Sequence, residues 1–328
     1  MKRQHTLAIA LVVSLLMPSL ARAAEVIKLG TLAPKSSPWG KVLETWIKAV
    51  NEKSGGRLEL QVFYNGSQGD EDAMVGKIKS GQLDGALVTT IGLGKVYKPI
   101  LALSMWGLFS TWAKLDAARN AMKAEFEKGA KDAGFHVAGW CDFGVGRLFS
   151  KGFAVKLPDD LKGKKPVYIR ADGLAPAVYS VIGGVSGVPL NVPEVLPNLN
   201  TGAVNVVVAP ALMAEQLQWA SKLDNVNDQV VFTMVGAAVF SHKRLAALPE
   251  DLRTILTDTG KVASAALTTR IRSEDDAAFA RLKGKMTVTT GSADDKTKWT
   301  AIFKQARQKL AQGTFSSDLV TKLEGYGK

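Results

Sequence analysis

Two arginines carry the most explicit chemistry in this chain. Arg147 follows the glycine-flanked run Asp142-Phe-Gly-Val-Gly146, and Arg170 closes Lys164-Lys-Pro-Val-Tyr-Ile. A guanidinium is a planar fork of N–H donors that can grip a carboxylate through two parallel hydrogen bonds. Large aromatics fall in segments suited to cover the rest of a small ligand: Trp39, Trp106, Tyr168 and Trp219, with Tyr179 nearby. Thr89 and Pro210 end apolar runs, and Asn205 opens one, at the kind of strand edge where open α/β sheets bind small molecules. Each arginine serves equally well in a surface or inter-lobe ion pair, and each aromatic in the core.

Catalytic chemistry is much less evident. Of three histidines, His136 lies in an apolar run and His242 at its own corner, without Cys, Asp or Glu at ligand spacing. There is no G-x-S-x-G elbow, and Gly92-Leu-Gly94 lacks the rest of a dinucleotide fingerprint. Glu71, Asp72, Asp159 and Asp160 open helices or turns, where acids complement the helix dipole. The expectation is a binding protein, not an enzyme, with no cofactor and no metal.

The elements that must position these residues follow from periodicity. Glu25–Gly30 predicts a strand. Ser37 is an N-cap ahead of Pro38, and Trp39, Val42, Leu43, Trp46, Ile47 and Val50 form one helical stripe that stops at Gly55-Gly56. Strands over Leu58–Tyr64 and Leu83–Thr89, with a helix over Asp70–Ser80 between them, complete βαβαβ, a parallel unit. A helix over 111–133 and a strand over Phe135–Cys141 follow, then Asp142–Gly146 as a hinge. Val230–Ser241 is a return strand. Pro249–Lys283 is one helical pattern, roughly 50 Å long at 1.5 Å per residue and able to brace two lobes. A strand over Met286–Thr290 and helices over about 294–312 and 316–324 end the chain.

Lys79–Val88 (KSGQLDGALV) and Asn200–Ala209 (NTGAVNVVVA) echo one another: a helix-stopping glycine, an apolar residue two on, Asp84 or Asn205, then a buried strand. The echo suits two similar lobes with a ligand cleft between them, though many helix-to-strand junctions look alike.

Lys2 and Arg3, an apolar run over Leu7–Leu20 and the small-residue site Ala21-Arg22-Ala23 read as a secretory signal peptide cleaved after Ala23. Nothing beyond it reads as a membrane span. The formal charge falls from +12 to +9 once Lys2, Arg3 and Arg22 leave. The remaining basic residues are dispersed, which argues against nucleic acid. Cys141 is the single cysteine, so stability rests on a core and not on a disulfide.

The order of motifs resembles the substrate-binding proteins of TRAP transporters, the DctP family. The matching pieces are the opening strand and Thr31–Trp39 loop, Gly81-Gln-Leu-Asp-Gly85, Leu157-Pro-Asp-Asp-Leu-Lys-Gly163, Val188-Pro-Leu190 with Glu194-Val195, Leu199-Asn-Thr-Gly202, Ala209-Pro210 and the long helix after Leu248-Pro249. The resemblance implies an α/β, two-lobed periplasmic binding protein (type II-like, a Venus flytrap) that closes on a small organic ligand and delivers it to membrane permease subunits. The expected division is 24–145 with about 235–268 as lobe 1, and 146–234 with about 269–328 as lobe 2. In the family pattern an arginine follows the Gly-x-Lys-apolar run and grips the ligand carboxylate. Here Gly163-Lys-Lys-Pro166 leads to Val167, and the next arginine, Arg170, comes three residues later. The resemblance therefore leaves two expectations: a carboxylate-bearing or amphipathic ligand held by Arg170 or Arg147, or a periplasmic carrier of hydrophobic, lipid-like molecules with no arginine clamp.

Overall fold

A computed structural model describes residues 24–328. The signal-peptide segment and its cleavage site lie outside the described residues.

The elements run β1 (Glu25–Thr31), α1 (Pro38–Ser54), β2 (Leu58–Phe63), α2 (Glu71–Lys79), β3 (Gly85–Thr89), α3 (Thr90–Val96), α4 (Trp112–Asp132), β4 (Phe135–Ser150), β5 (Val167–Ile169), α5 (Leu174–Ile182), β6 (Val188–Leu190), α6 (Val192–Thr201), β7 (Val206–Pro210), α7 (Ala211–Gln216), β8 (Asn225–Ser241), α8 (His242–Ala246), α9 (Glu250–Lys283), β9 (Thr287–Thr289), α10 (Ala293–Leu310) and α11 (Ser317–Gly327). Local chemistry sets many of these boundaries. Ser37 Oγ accepts from Gly40 N at 3.2 Å, Pro38 opens α1, and Gly55 closes it in the left-handed region. Asp70 caps α2, and an Asn191–Glu194 capping box opens α6.

The main sheet has the order β2-β1-β3-β8-β4-β7, with β9 added to β8. β2, β1 and β3 are parallel, as the βαβαβ reading expects. β8 runs antiparallel to both β3 and β4, so the sheet is mixed. β4 and β8 cross the whole molecule. β4 pairs through its later residues with β7, and β8 pairs through its later residues with β3. The echo strands thus occupy equivalent places, each antiparallel to one of the crossing strands.

The structure departs from the sequence reading along these two strands. Asp142–Gly146, expected as a hinge after a strand ending at Cys141, lies inside β4, whose register with β8 shifts at Val137/Gly139, Asp142/Gly144 and Gly146/Leu148. β8 starts at Asn225, five residues before the expected return strand. Partners on β8 hold these residues extended despite their glycines.

α9 spans the molecule. Trp46 Nε1 donates to Thr259 Oγ1 at 2.9 Å at one end of the helix, and Arg281 pairs with Glu215 at the other. Between them Arg272 bonds Asp116 of α4 and Asp142 of β4, and Asp275 accepts from Val145 N and Leu212 N, both at 2.9 Å. α10 packs on α5. α11 returns to α4, where Lys114 Nζ reaches Gly327 O. Among the described residues no helix is long and apolar enough to cross a membrane.

Candidate ligand-binding site

The two halves of the sheet bring their loop edges together around a cavity of about 80 Å³. One side supplies Leu32 after β1, Asp70 and Glu71 at the start of α2, Thr89 at the end of β3, and Trp106. The other supplies Val167–Ile169 of β5, Asp172 and Tyr179 around α5, Val192 and Val195 of α6, Val207–Ala209 of β7, and Trp219. Phe232 and Met234 of the crossing strand β8 form the floor. A second chamber of about 40 Å³ shares Leu32, Glu71, Thr89, Val192 and Met213 and extends to Trp39, which stacks on Phe143 at 5.9 Å. The halves touch directly here: Asp70 Oδ2 accepts from Val192 N at 3.1 Å.

Three carboxyl groups stand in these walls. Glu71 accepts from Thr89 N at 2.8 Å, Thr89 Oγ1 at 2.8 Å and Gly92 N at 2.7 Å. Burial outweighs those bonds and raises its carboxyl to about 7. Asp172 accepts from Leu174 N at 2.7 Å. Part of that residue stays exposed, yet its carboxyl sits deep enough that burial raises it to about 6. Burial also raises Asp70, whose oxygens are taken by Glu71 N and Val192 N. Rings cover much of the remainder. Trp106 meets Tyr179 edge-on at 5.8 Å and Phe232 at 6.0 Å, and Tyr168 meets Tyr179 at 6.5 Å. The buried Tyr179 hydroxyl and Trp39 Nε1 have no hydrogen-bond partner among the described residues.

The structure gathers Thr89, Trp106, Tyr168 and Trp219 in the main chamber and Trp39 in the smaller one. The other expected ligand residues lie elsewhere. Arg170 is 54% exposed and bonds Glu194 at 3.2 Å. Arg147 is buried outside the cavity lining, 3.7 Å from Asp275 and over the Phe279 ring, with its Nε unpartnered. Asn205 binds backbone, its Oδ1 accepting from Lys165 N. Pro210 pairs with Gly146 across β7 and β4. Glu71, Asp70 and Asp172 are wall residues that reasoning from sequence assigned to helix starts or passed over. Val167 occupies the wall where the resemblance places an arginine, and the only signal for it was that substitution. Trp112 stacks on Arg272 and Trp140 bonds Glu127, so neither lines the cavity.

A cavity walled by both halves of an α/β fold, with two strands and one long helix running through both, defines a two-lobed ligand-binding protein. The chain belongs to the bacterial extracellular solute-binding proteins, family 7, whose model matches residues 29–314. It is 30% identical over 176 residues to a solute-binding protein of Chromohalobacter salexigens, covering 52% of this chain and 51% of that one. It is 22% identical over 314 residues to a solute-binding protein of Sulfitobacter sp. NAS-14.1, covering 95% and 94%. The chain spans about half the length of the first curated relatives it matches. Its fold matches a TRAP periplasmic solute-binding protein of Sulfurospirillum deleyianum with bound succinate, at TM-score 0.86, 18% identity and coverage of 93% and 99%. It also matches a sugar acid binding protein of Advenella mimigardefordensis in complex with galactonate, at TM-score 0.87, 16% identity and coverage of 93% and 98%.

Proposed function

We propose that this protein is the periplasmic receptor of a TRAP-type secondary transporter, closing on a small organic molecule and handing it to the membrane permease. The observation that carries this reading is the cavity between the two halves, to which both contribute walls and across which Asp70 meets Val192. So small a chamber needs the lobes to part before a ligand enters, and ligand contacts to both lobes would then favour the closed form. The moving parts would be residues 24–145 with about 235–268 and residues 146–234 with about 269–328, hinged where the register of β4 shifts. Within the second range α11 is the exception: it packs on α4 and would travel with the first part. The signal peptide would direct export and then be cleaved after Ala23, and the receptor would have no catalytic role. A carrier of lipid-like molecules fits less well, because an acyl chain would strand the carboxyls of Glu71 and Asp172 without solvent.

Native mass spectrometry of the protein purified from periplasm tests the reading. A co-purified small molecule is expected, and its release should enlarge the radius of gyration measured by X-ray scattering. No bound molecule, together with no thermal shift across a broad library of small metabolites, would refute it.

A further inference from the structure

The walls of the cavity have an unusual balance of charge. Asp70, Glu71 and Asp172 line the two chambers, and among the described residues no lysine, arginine or histidine does. Of the cations that sequence reasoning offered, Arg170 is paired with Glu194, and Arg147, outside the lining, lies 3.7 Å from Asp275, donates to Val145 O and keeps its Nε unpartnered. Val167 faces the chamber instead of an arginine. A ligand carboxylate entering here would meet like charge with no counter-ion, an arrangement that works against binding.

We propose that the cavity selects a small organic molecule bearing an ammonium group, held against Glu71, Asp172 and the rings of Trp106, Tyr168 and Tyr179. This inference rests on the receptor reading and names its ligand class. Three independent features support it. Backbone and hydroxyl donors pin the two carboxyls in place, Glu71 from Thr89 and Gly92 and Asp172 from Leu174, so they are oriented before a ligand arrives. Each carboxylate has further acceptor capacity beyond those bonds. The three rings form a continuous edge-to-face set, and ring faces attract cations most strongly where water is excluded. The Tyr179 hydroxyl, in a residue only 4% exposed, lacks any partner among the described residues and can accept an N–H or other donor from a ligand. The upward displacement of both carboxyls has the same origin, since burial has removed water and no protein cation compensates.

Calorimetric titration of the full mature chain at pH 7.5, after dialysis to remove bound ligand, tests this with matched probes. Butane-1,4-diamine, 4-aminobutanoate and succinate share a four-carbon skeleton and differ in the charge of its ends. Choline and glucuronate extend the set in each direction. At least one ammonium-bearing probe should bind ten-fold or more tightly than succinate and glucuronate. Tyr179→Phe, which removes only an unpartnered hydroxyl, should weaken that probe several-fold without lowering the melting temperature. Binding of succinate or glucuronate as tight as that of the ammonium probes, or tighter, would overturn the inference and leave the receptor reading standing. Failure of all three ammonium probes at millimolar concentration would also overturn it, while the co-purified ligand would decide the receptor reading separately. An unchanged affinity in Tyr179→Phe would overturn the hydroxyl contact, and an unchanged affinity in Tyr179→Leu would overturn the ring site.

Discussion

Asp275 is the sharpest test of how α9 holds the two halves together. Its carboxylate is fully buried, accepts from Val145 N in the crossing strand and from Leu212 N at the start of α7, and lies 3.7 Å from Arg147. Asp275→Ala removes all three partners at once. Two buried N–H groups lose their acceptor, at about 1–3 kcal/mol each. Arg147 loses its nearest counter-charge, and breaking a buried pair in this way costs about 3–5 kcal/mol. These losses share one site and do not add in full, because water can enter the space the carboxylate leaves. The gain in helix propensity from alanine offsets only about 0.5 kcal/mol. The net expectation is a loss of about 4 kcal/mol, which for a protein of this size lowers the melting temperature by roughly 6 °C. Asp275→Asn keeps one acceptor oxygen and should fall between the variant and the parent. Denaturant unfolding and calorimetry measure the difference. If Asp275→Ala stays within about 1 kcal/mol of the parent, the carboxylate is not a structural anchor and the reasoning fails.

Three further outcomes follow from the same structure. Gly144 has φ +120°, and an added Cβ would lie 2.6 Å from Pro210 Cβ and 2.8 Å from the Asp275 carboxyl; Gly144→Ala should cost about 3 kcal/mol or more in chemical denaturation, and a neutral result would mean the crossing strand relaxes freely there. Burial keeps Glu71 protonated in the folded chain up to about pH 7 against an ordinary 4.5, so its contribution is complete below 4.5 and is lost as pH rises through 7. The melting temperature of ligand-stripped protein should therefore rise on going from pH 8 to 6.5, by the equivalent of roughly 1 kcal/mol. Burial of His136, which lowers its pKa, opposes part of that gain, and a flat or reversed profile would contradict the assignment to Glu71. Arg170→Ala removes an exposed ion pair and should change ligand affinity less than about two-fold in a titration; a hundred-fold loss would place Arg170 in the site after all.

Local signals carried much of this fold. Ser37-Pro38 and Gly55 bound α1, and Gly202 ends α6 in the left-handed region, because caps act through groups only a few residues apart. The crossing strands were harder to read. Asp142–Gly146 has the composition of a hinge, but its extended state is imposed by β8, about ninety residues further along the chain. The site was harder still. Glu71 does open a helix, as its position suggests, yet its special character comes from burial beneath Thr89 and beside the opposite half. Arg170 has the right chemistry for a clamp, and only the fold reveals that Glu194 occupies it. Val167 bears no reactive group, so its meaning lies in the arginine it stands in place of.

The division of labour in the structure explains how one scaffold can serve different ligands. In the proposed receptor, closure would depend on the crossing strands and on the α9 anchors Arg272 and Asp275, neither of which lines the cavity. Ligand chemistry depends on side chains at strand ends and helix starts, among them Thr89, Val167 and Asp172. A change of Val167 alters the charge of the chamber without touching a hinge residue. The charge of the wall and the proposed closure would therefore be separable, because the residues that set one do not set the other.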